Sequence, residues 1–190
     1  MSEDTYKLAK PVKRNYDHIQ GPINAPITIV EYGDFECPYT GQAYPIVKEI
    51  IRKLGDSICF VFRNFPLNEI HPHAEHAAEA AEAAGAQDKF WQMHDYLFEH
   101  QEVLDDRHLL EYAKRVGLDI KRFEKEISRH IFVPVINDSL RNGIKSGVEG
   151  TPTFFLNGVR YEDSWDLETL LETIRSTLKK DKKKIGRAHV

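Results

Sequence analysis

The sequence predicts an α/β protein in which a mixed central sheet is interrupted by an all-helical domain. Three observations carry this. Ile27-Thr-Ile-Val-Glu-Tyr32 and Ser57-Ile-Cys-Phe-Val-Phe-Arg63 are short β-branched or aromatic runs on either side of a helical stretch, the pattern of a parallel strand–helix–strand unit. Residues 67–147 then carry only helical spacing. Strand patterns return at Thr153-Phe-Phe-Leu156 and Val159-Arg-Tyr161 around the hairpin signal Asn157-Gly158, and an amphipathic helix closes the pattern. Strands far apart in sequence can share one sheet, so the helical block reads as an insertion.

Taken in order, residues 1–20 are polar and aperiodic and are expected to form a loose arm. Gly21-Pro22 and Ala25-Pro26 punctuate the entry to the first strand. Pro38 suits a first helical position, where its missing N–H costs nothing. Val47, Ile50, Ile51 and Leu54 recur at helical spacing, Gly55 is the expected C-cap, and Pro45 falls inside the helix. In the insertion, His71 to Ala84 is alanine-rich, with Pro72 as its expected first helical residue and Gly85 as its stop. Phe90, Met93 and Leu97 form the next stripe, after a cap at Asp88. Leu109, Leu110, Ala113 and Val116 form another, and Asp119 caps a short helix presenting Phe123 and Ile127. A last inserted helix is expected over 133–145. Asp166 caps the final helix, whose apolar positions run from Leu167 to Leu178. The domains expected are residues 21–66 with 148–178, and the insertion 67–147.

Composition bounds the partners. Lys179 to Val190 carries six basic residues against Asp181, a surplus of five that leaves −9 on the rest of a chain whose total is −4. This basic end, 179–190, reads as a solvated disordered tail. No nucleic-acid or membrane partner is expected. The first ten residues lack an apolar run and no stretch approaches the roughly 18 residues of a spanning helix, so the expected location is cytoplasmic. Two cysteines, Cys37 and Cys59, are too few for a disulfide framework.

Cys37 stands directly before Pro38, at an expected helix N-terminus. Unpaired N–H groups and the helix dipole favour a thiolate at such a place. A Cys-x-x-Cys redox motif would need a second cysteine at position 40, which is Thr. Cys59 lies in mid-strand among Phe60, Val61 and Phe62 and reads as a buried structural thiol. His71, His73 and His76 suggest a metal, but no further ligand completes a familiar spacing, and no metal is expected.

Asp34-Phe-Glu-Cys-Pro-Tyr39, Phe62-Arg-Asn-Phe-Pro-Leu67, His71-Pro-His-Ala74, Lys89-Phe-Trp-Gln-Met-His94 and Gly150-Thr-Pro-Thr-Phe-Phe155 together resemble the DsbA-like branch of the thioredoxin superfamily. The resemblance covers about residues 21–178. It implies a thioredoxin fold with an inserted helical domain, and thiol–disulfide exchange with Cys37 as nucleophile. Pro38, Tyr39, Thr151 and Pro152 would contact substrate, with Pro152 in cis. Glu31 would be a buried acid beneath the motif.

Thr40 departs from the family pattern. Its hydroxyl could hydrogen-bond the Cys37 sulfur, but it cannot close an internal disulfide. An outside thiol such as glutathione would then act as cosubstrate, with no bound cofactor, on a protein or small-molecule disulfide. Monothiol reduction, removal of glutathione or isomerisation fits this chemistry. The rival readings are a peptide-binding module that has lost turnover and a glutathione transferase or isomerase of the same architecture. The chain is expected to be a monomer or weak dimer.

Overall fold

Five strands form one mixed sheet in a computed structural model that describes residues 6–187, with side chains through Lys180. Its centre is the unit read from sequence: β2 (Ile27–Gly33), α1 (Pro38–Leu54) and β3 (Ile58–Asn64). β2 and β3 run parallel, in register from Ile27 opposite Ile58 to Gly33 opposite Asn64. On the other side of β2 lies antiparallel β4 (Thr153–Leu156), followed by β5 (Val159–Arg160) across the Asn157-Gly158 turn. Both turn residues have positive φ, as such a tight hairpin requires.

The outer strand on the β3 side is β1 (His18–Gln20), antiparallel to β3, in a stretch expected to be loose. Its order has clear causes. Imidazole Nε2 of His18 lies 2.9 Å from Glu82 and its ring stacks on Phe90 at 3.6 Å. The indole of Trp91 donates to the Ile19 carbonyl at 3.2 Å. Upstream, Asp17 accepts from Arg63 at 2.8 and 3.1 Å, and both side chains are buried. Leu8 and Val12 pack on the sheet with Val30, Tyr32, Cys59, Val61 and Phe155. A sheet must cover both faces, and this one recruits residues 8–19 for the second. Too few apolar residues mark that segment for periodicity to register it.

The first face holds the larger core. Ile27, Ile29, Ile58, Phe60 and Phe62 meet Ala43, Val47 and Ile50 of α1 and Leu170 and Ile174 of α7 (Leu167–Arg187). Burying side chains such as Phe60 and Phe62 contributes roughly 2–3 kcal/mol each. The backbone of α7 continues to Arg187, so the basic end expected to be disordered is helical that far; residues 188–190 lie outside the described residues.

Between β3 and β4 come α2 (Ala74–Gly85), α3 (Phe90–Glu99), α4 (Asp106–Arg115), α5 (Ile120–Ser128) and α6 (Val133–Lys145). Ala74, Ala77, Ala78, Ala80, Ala81, Ala83 and Ala84 are all buried, so small side chains let the neighbouring helices approach α2 closely. Asp105, Asp119 and Asp166 each accept backbone N–H groups at a helix start, as N-caps do. Two starts differ from expectation. The α3 cap is Lys89, because Asp88 takes a left-handed backbone at φ 60°. α2 begins at Ala74, not Pro72, because His71 and His73 are held elsewhere.

Candidate functional site

β2 ends at Gly33, and Asp34-Phe-Glu36 turns the chain into α1. Gly33 is required here: a Cβ would press on the Phe62 ring and on the Thr40 methyl. Cys37 is the N-cap residue of α1, with extended backbone (φ −71°, ψ 121°), and Pro38 opens the helix. The sulfur is 3% exposed with its residue, while Pro38 and Tyr39 stand on the surface, Tyr39 at 62%. Sγ donates to the Thr151 carbonyl at 3.3 Å, in the segment just before β4. The Thr151–Pro152 peptide bond that leads into β4 is cis. Cys37, Pro38, Tyr39, Thr151 and Pro152, drawn together by resemblance, therefore share one end of the sheet.

Thr40 is fully buried, and its hydroxyl oxygen accepts the Asp34 N–H at 3.5 Å, a weak bond. The contact is with the turn, not with the Cys37 sulfur. Glu31 is 3% exposed on the strand face shared with Ile27 and Ile29, the face that carries α1. Its Oε1 has no hydrogen-bond partner, and burial pushes its pKa up to about 8, so at neutral pH the carboxyl holds its proton. Cys59 is fully buried on the opposite face, opposite Thr28, and burial raises its pKa. Five residues separate it from Asn64, at the end of the strands where Cys37 sits, which is roughly 16 Å of strand. A disulfide needs Cα atoms within about 7 Å, so Cys59 cannot reach Cys37 in this fold.

Sequence reading missed the groups that hold the turn. Asp34, 2% exposed, accepts from the Glu36 N–H at 2.8 Å and the Leu67 N–H at 2.9 Å, and its Oδ2 lies 2.7 Å from His71 Nδ1. Glu36 holds the His73 N–H at 2.7 Å and the His73 ring at 2.9 Å. These bonds fasten the 67–73 segment beside the cysteine. Ile70, within that segment, is 68% exposed. Gln101, just past α3, donates Nε2 to the carbonyls of Phe35 at 2.9 Å and Cys37 at 2.8 Å. Gly41 makes room for it, since a Cβ there would overlap the Gln101 amide. The only local signal for these roles is the density of polar residues around the motif, and their partners lie 33–66 positions away.

His94, quoted in the family-like segments, sits away from the turn's hydrogen bonds among Phe35, Phe62, Trp91 and Phe98. Burial pushes its pKa down, so it packs as a neutral ring between insertion and sheet. The three histidines considered for a metal do not converge. His71 faces Asp34, His73 faces Glu36 and His76 faces Asp106.

A helix-inserted thioredoxin fold with a cysteine at the start of its first helix and a cis-proline segment facing it defines the DsbA-like class. The chain belongs to the thioredoxin family: the family model described as "Thioredoxin" matches residues 13–176. Among solved structures it shares its fold with BdbD from Bacillus subtilis, at TM-score 0.79 and 23% identity over 92% of this chain and 99% of that one. It is likewise similar to α-DsbA1 from Wolbachia pipientis, at TM-score 0.76 and 20% identity over 92% and 96%. The thiol-disulfide exchange protein α-DsbA2 of the same organism matches at TM-score 0.75 and 23% identity, over 86% and 88%.

Among curated proteins, the chain is 46% identical to the Na(+)/H(+) antiporter NhaA 1 of Salinispora arenicola over 176 residues, 93% of this chain and 27% of that protein. The match to Na(+)/H(+) antiporter NhaA 3 of Salinispora tropica is 44% over 92% and 27%. The chain thus spans about a quarter of the length of these relatives. Among the described residues no helix is long and apolar enough to cross a membrane.

Proposed function

We propose that the chain is a monothiol thiol–disulfide oxidoreductase with Cys37 as its nucleophile. The observation that carries this is the position of the sulfur, at the N-cap of α1 and 3.3 Å from the Thr151 carbonyl, with no second thiol in reach. A helix N-terminus is a place where the dipole and the unpaired N–H groups favour negative charge, and Cys37 stands at that of α1. The cysteine attacks one sulfur of a mixed disulfide; the old S–S bond breaks, a new one forms to Cys37, and the departing thiolate takes a proton. A free thiol, such as glutathione, then attacks the adduct. Its sulfur pairs with the sulfur that Cys37 held, and Cys37 is released reduced. One disulfide substrate is reduced and one external disulfide is formed, so no internal partner is needed.

Thr151 and Pro152 would lie against an extended substrate segment, in the manner of an added strand. Tyr39 and Ile70 give that segment an apolar margin, and Glu31 would accept or return protons beneath the site. An external thiol as resolving agent suits a reducing compartment, hence the cytoplasm. A monomer suffices, because every group in the scheme belongs to one chain. The antiport named in the longer relatives belongs to those whole proteins and is not assigned to this stretch.

The test is glutathione-dependent reduction of a small mixed disulfide, followed in wild type and in Cys37→Ser. Turnover lost in the variant supports the assignment. Equal turnover in both, or none in wild type with peptide binding retained, favours the binding-module reading instead.

A further inference from the structure

The fold gathers a second group of chemistry-bearing side chains within the helical insertion, sharing no residue with the Cys37 site. His76 and Glu79 lie one turn apart on α2, and His130 stands on the connection from α5 to α6. One candidate donor atom from each lies within 4.8 Å of the other two. We propose that His76, Glu79 and His130 form a binding site for one divalent transition-metal ion of the zinc type.

Glu79 is the buried, acidic member of this group. Its side chain is fully buried, yet its two oxygens meet only one side-chain nitrogen among the described residues, Nδ1 of His130 at 3.0 and 3.3 Å. A buried carboxylate calls for a stronger positive partner than one exposed imidazole. His130 is 57% exposed and His76 38% exposed at the side chain, so an ion has a route in from water. His76 is already oriented: its Nδ1 is 2.7 Å from a carboxylate oxygen of Asp106, which leaves Nε2 as the free nitrogen. A carboxylate behind a ligating imidazole is the usual second support of a metal-bound histidine.

The donor set selects the ion. Two imidazoles and one carboxylate suit zinc or its neighbours and leave a fourth position for water. Calcium and magnesium prefer all-oxygen cages and are disfavoured. Donors around a tetrahedral ion with bonds of about 2.0–2.1 Å sit roughly 3.4 Å apart. The donors here lie within 4.8 Å of one another, so binding would draw the two exposed imidazole rings inward toward Glu79. The ion would tie α2 to the α5–α6 connection and, through Asp106, to α4. Sequence spacing could not show it, since 54 positions separate His76 from His130.

The experiment is calorimetric titration of zinc chloride into the Cys37→Ser chain, where the Cys37 thiol cannot compete for the ion. It is repeated with His76→Ala and with His130→Asn, a replacement that tolerates the left-handed backbone at that position (φ 49°). Circular dichroism verifies that each variant is folded. The proposal expects one ion per chain, affinity weakened at least about 30-fold by either histidine variant, and about 10-fold by Asp106→Asn. Cobalt(II) bound at the same stoichiometry should show visible bands without thiolate absorption. Absence of stoichiometric zinc binding overturns the proposal, as does binding that survives either histidine variant unchanged.

Discussion

Nε2 of Gln101 donates to the Cys37 carbonyl at 2.8 Å, so a residue of the helical insertion holds the cysteine-bearing turn of the sheet domain. The same amide also takes the Phe35 carbonyl. In Gln101→Ala the Cys37 carbonyl keeps its bond from the Gly41 N–H, but Phe35 loses this partner. Stability should fall by about 1–2 kcal/mol in denaturant titration. Amide exchange should quicken over residues 35–41 while the far strands keep their protection. Unchanged exchange there would mean the contact holds nothing.

The Arg63–Asp17 pair predicts a larger effect. Both side chains are buried, and Arg63 also donates to the Tyr32 hydroxyl at 3.0 Å. Asp17→Ala leaves a buried guanidinium without its counter-charge, at a cost of about 3–5 kcal/mol. The loss should appear as a lower denaturation midpoint and as protease sensitivity in residues 8–20. Removing both partners, as Asp17→Ala with Arg63→Met, should recover much of the loss.

Glu31 sets a pH dependence whose sign is fixed. Its ordinary value is 4.5 and its folded value is about 8, so between these the folded state holds a proton the unfolded chain has released. Stability therefore falls as pH rises through that window, and the loss is complete above it. The change is a few kcal/mol. Glu31→Gln should be more stable than wild type above pH 8 and should flatten the curve of unfolding midpoint against pH. A wild-type curve that rises from pH 5 to 8 with no change in the variant would contradict the buried, protonated carboxyl.

Thr40→Cys places a second thiol one helical turn from Cys37. Threonine and cysteine are close in size, so the fully buried position should accept the change at a cost below about 1.5 kcal/mol. The variant should form an internal disulfide on oxidation, seen as the loss of two hydrogens by intact mass. Any glutathione adduct should become transient, because the new thiol displaces it. A persistent adduct would show that position 40 cannot reach the sulfur.

Much of this was legible in the sequence because local rules agreed with the tertiary result. β2, β3, β4, α5 and α6 follow from strand runs, Asp119 and helical spacing, and Asn157-Gly158 marks its own turn. Residues 8–20 were not legible, since Leu8, Val12 and Asp17 gain meaning only against a sheet face formed by distant strands. The start of α2 differs from the sequence expectation for the same reason: Pro72 is a good first helical residue, but His71 and His73 are engaged by Asp34 and Glu36. At the site, Cys37 could be read from Pro38 and from the strand before it. The Thr40 hydroxyl takes the Asp34 N–H, so the contact with sulfur that the sequence suggests is not the one it makes. Gln101 carried no signal, because nothing local distinguishes it from any surface glutamine.

The most direct test of the central claim is intact mass spectrometry of the native chain after incubation with oxidised glutathione, followed by peptide mapping. One glutathione on Cys37, removed by free thiol and absent from Cys37→Ser, with Cys59 unmodified, is the result expected. No adduct, or an adduct on Cys59 with Cys37 untouched, would contradict it.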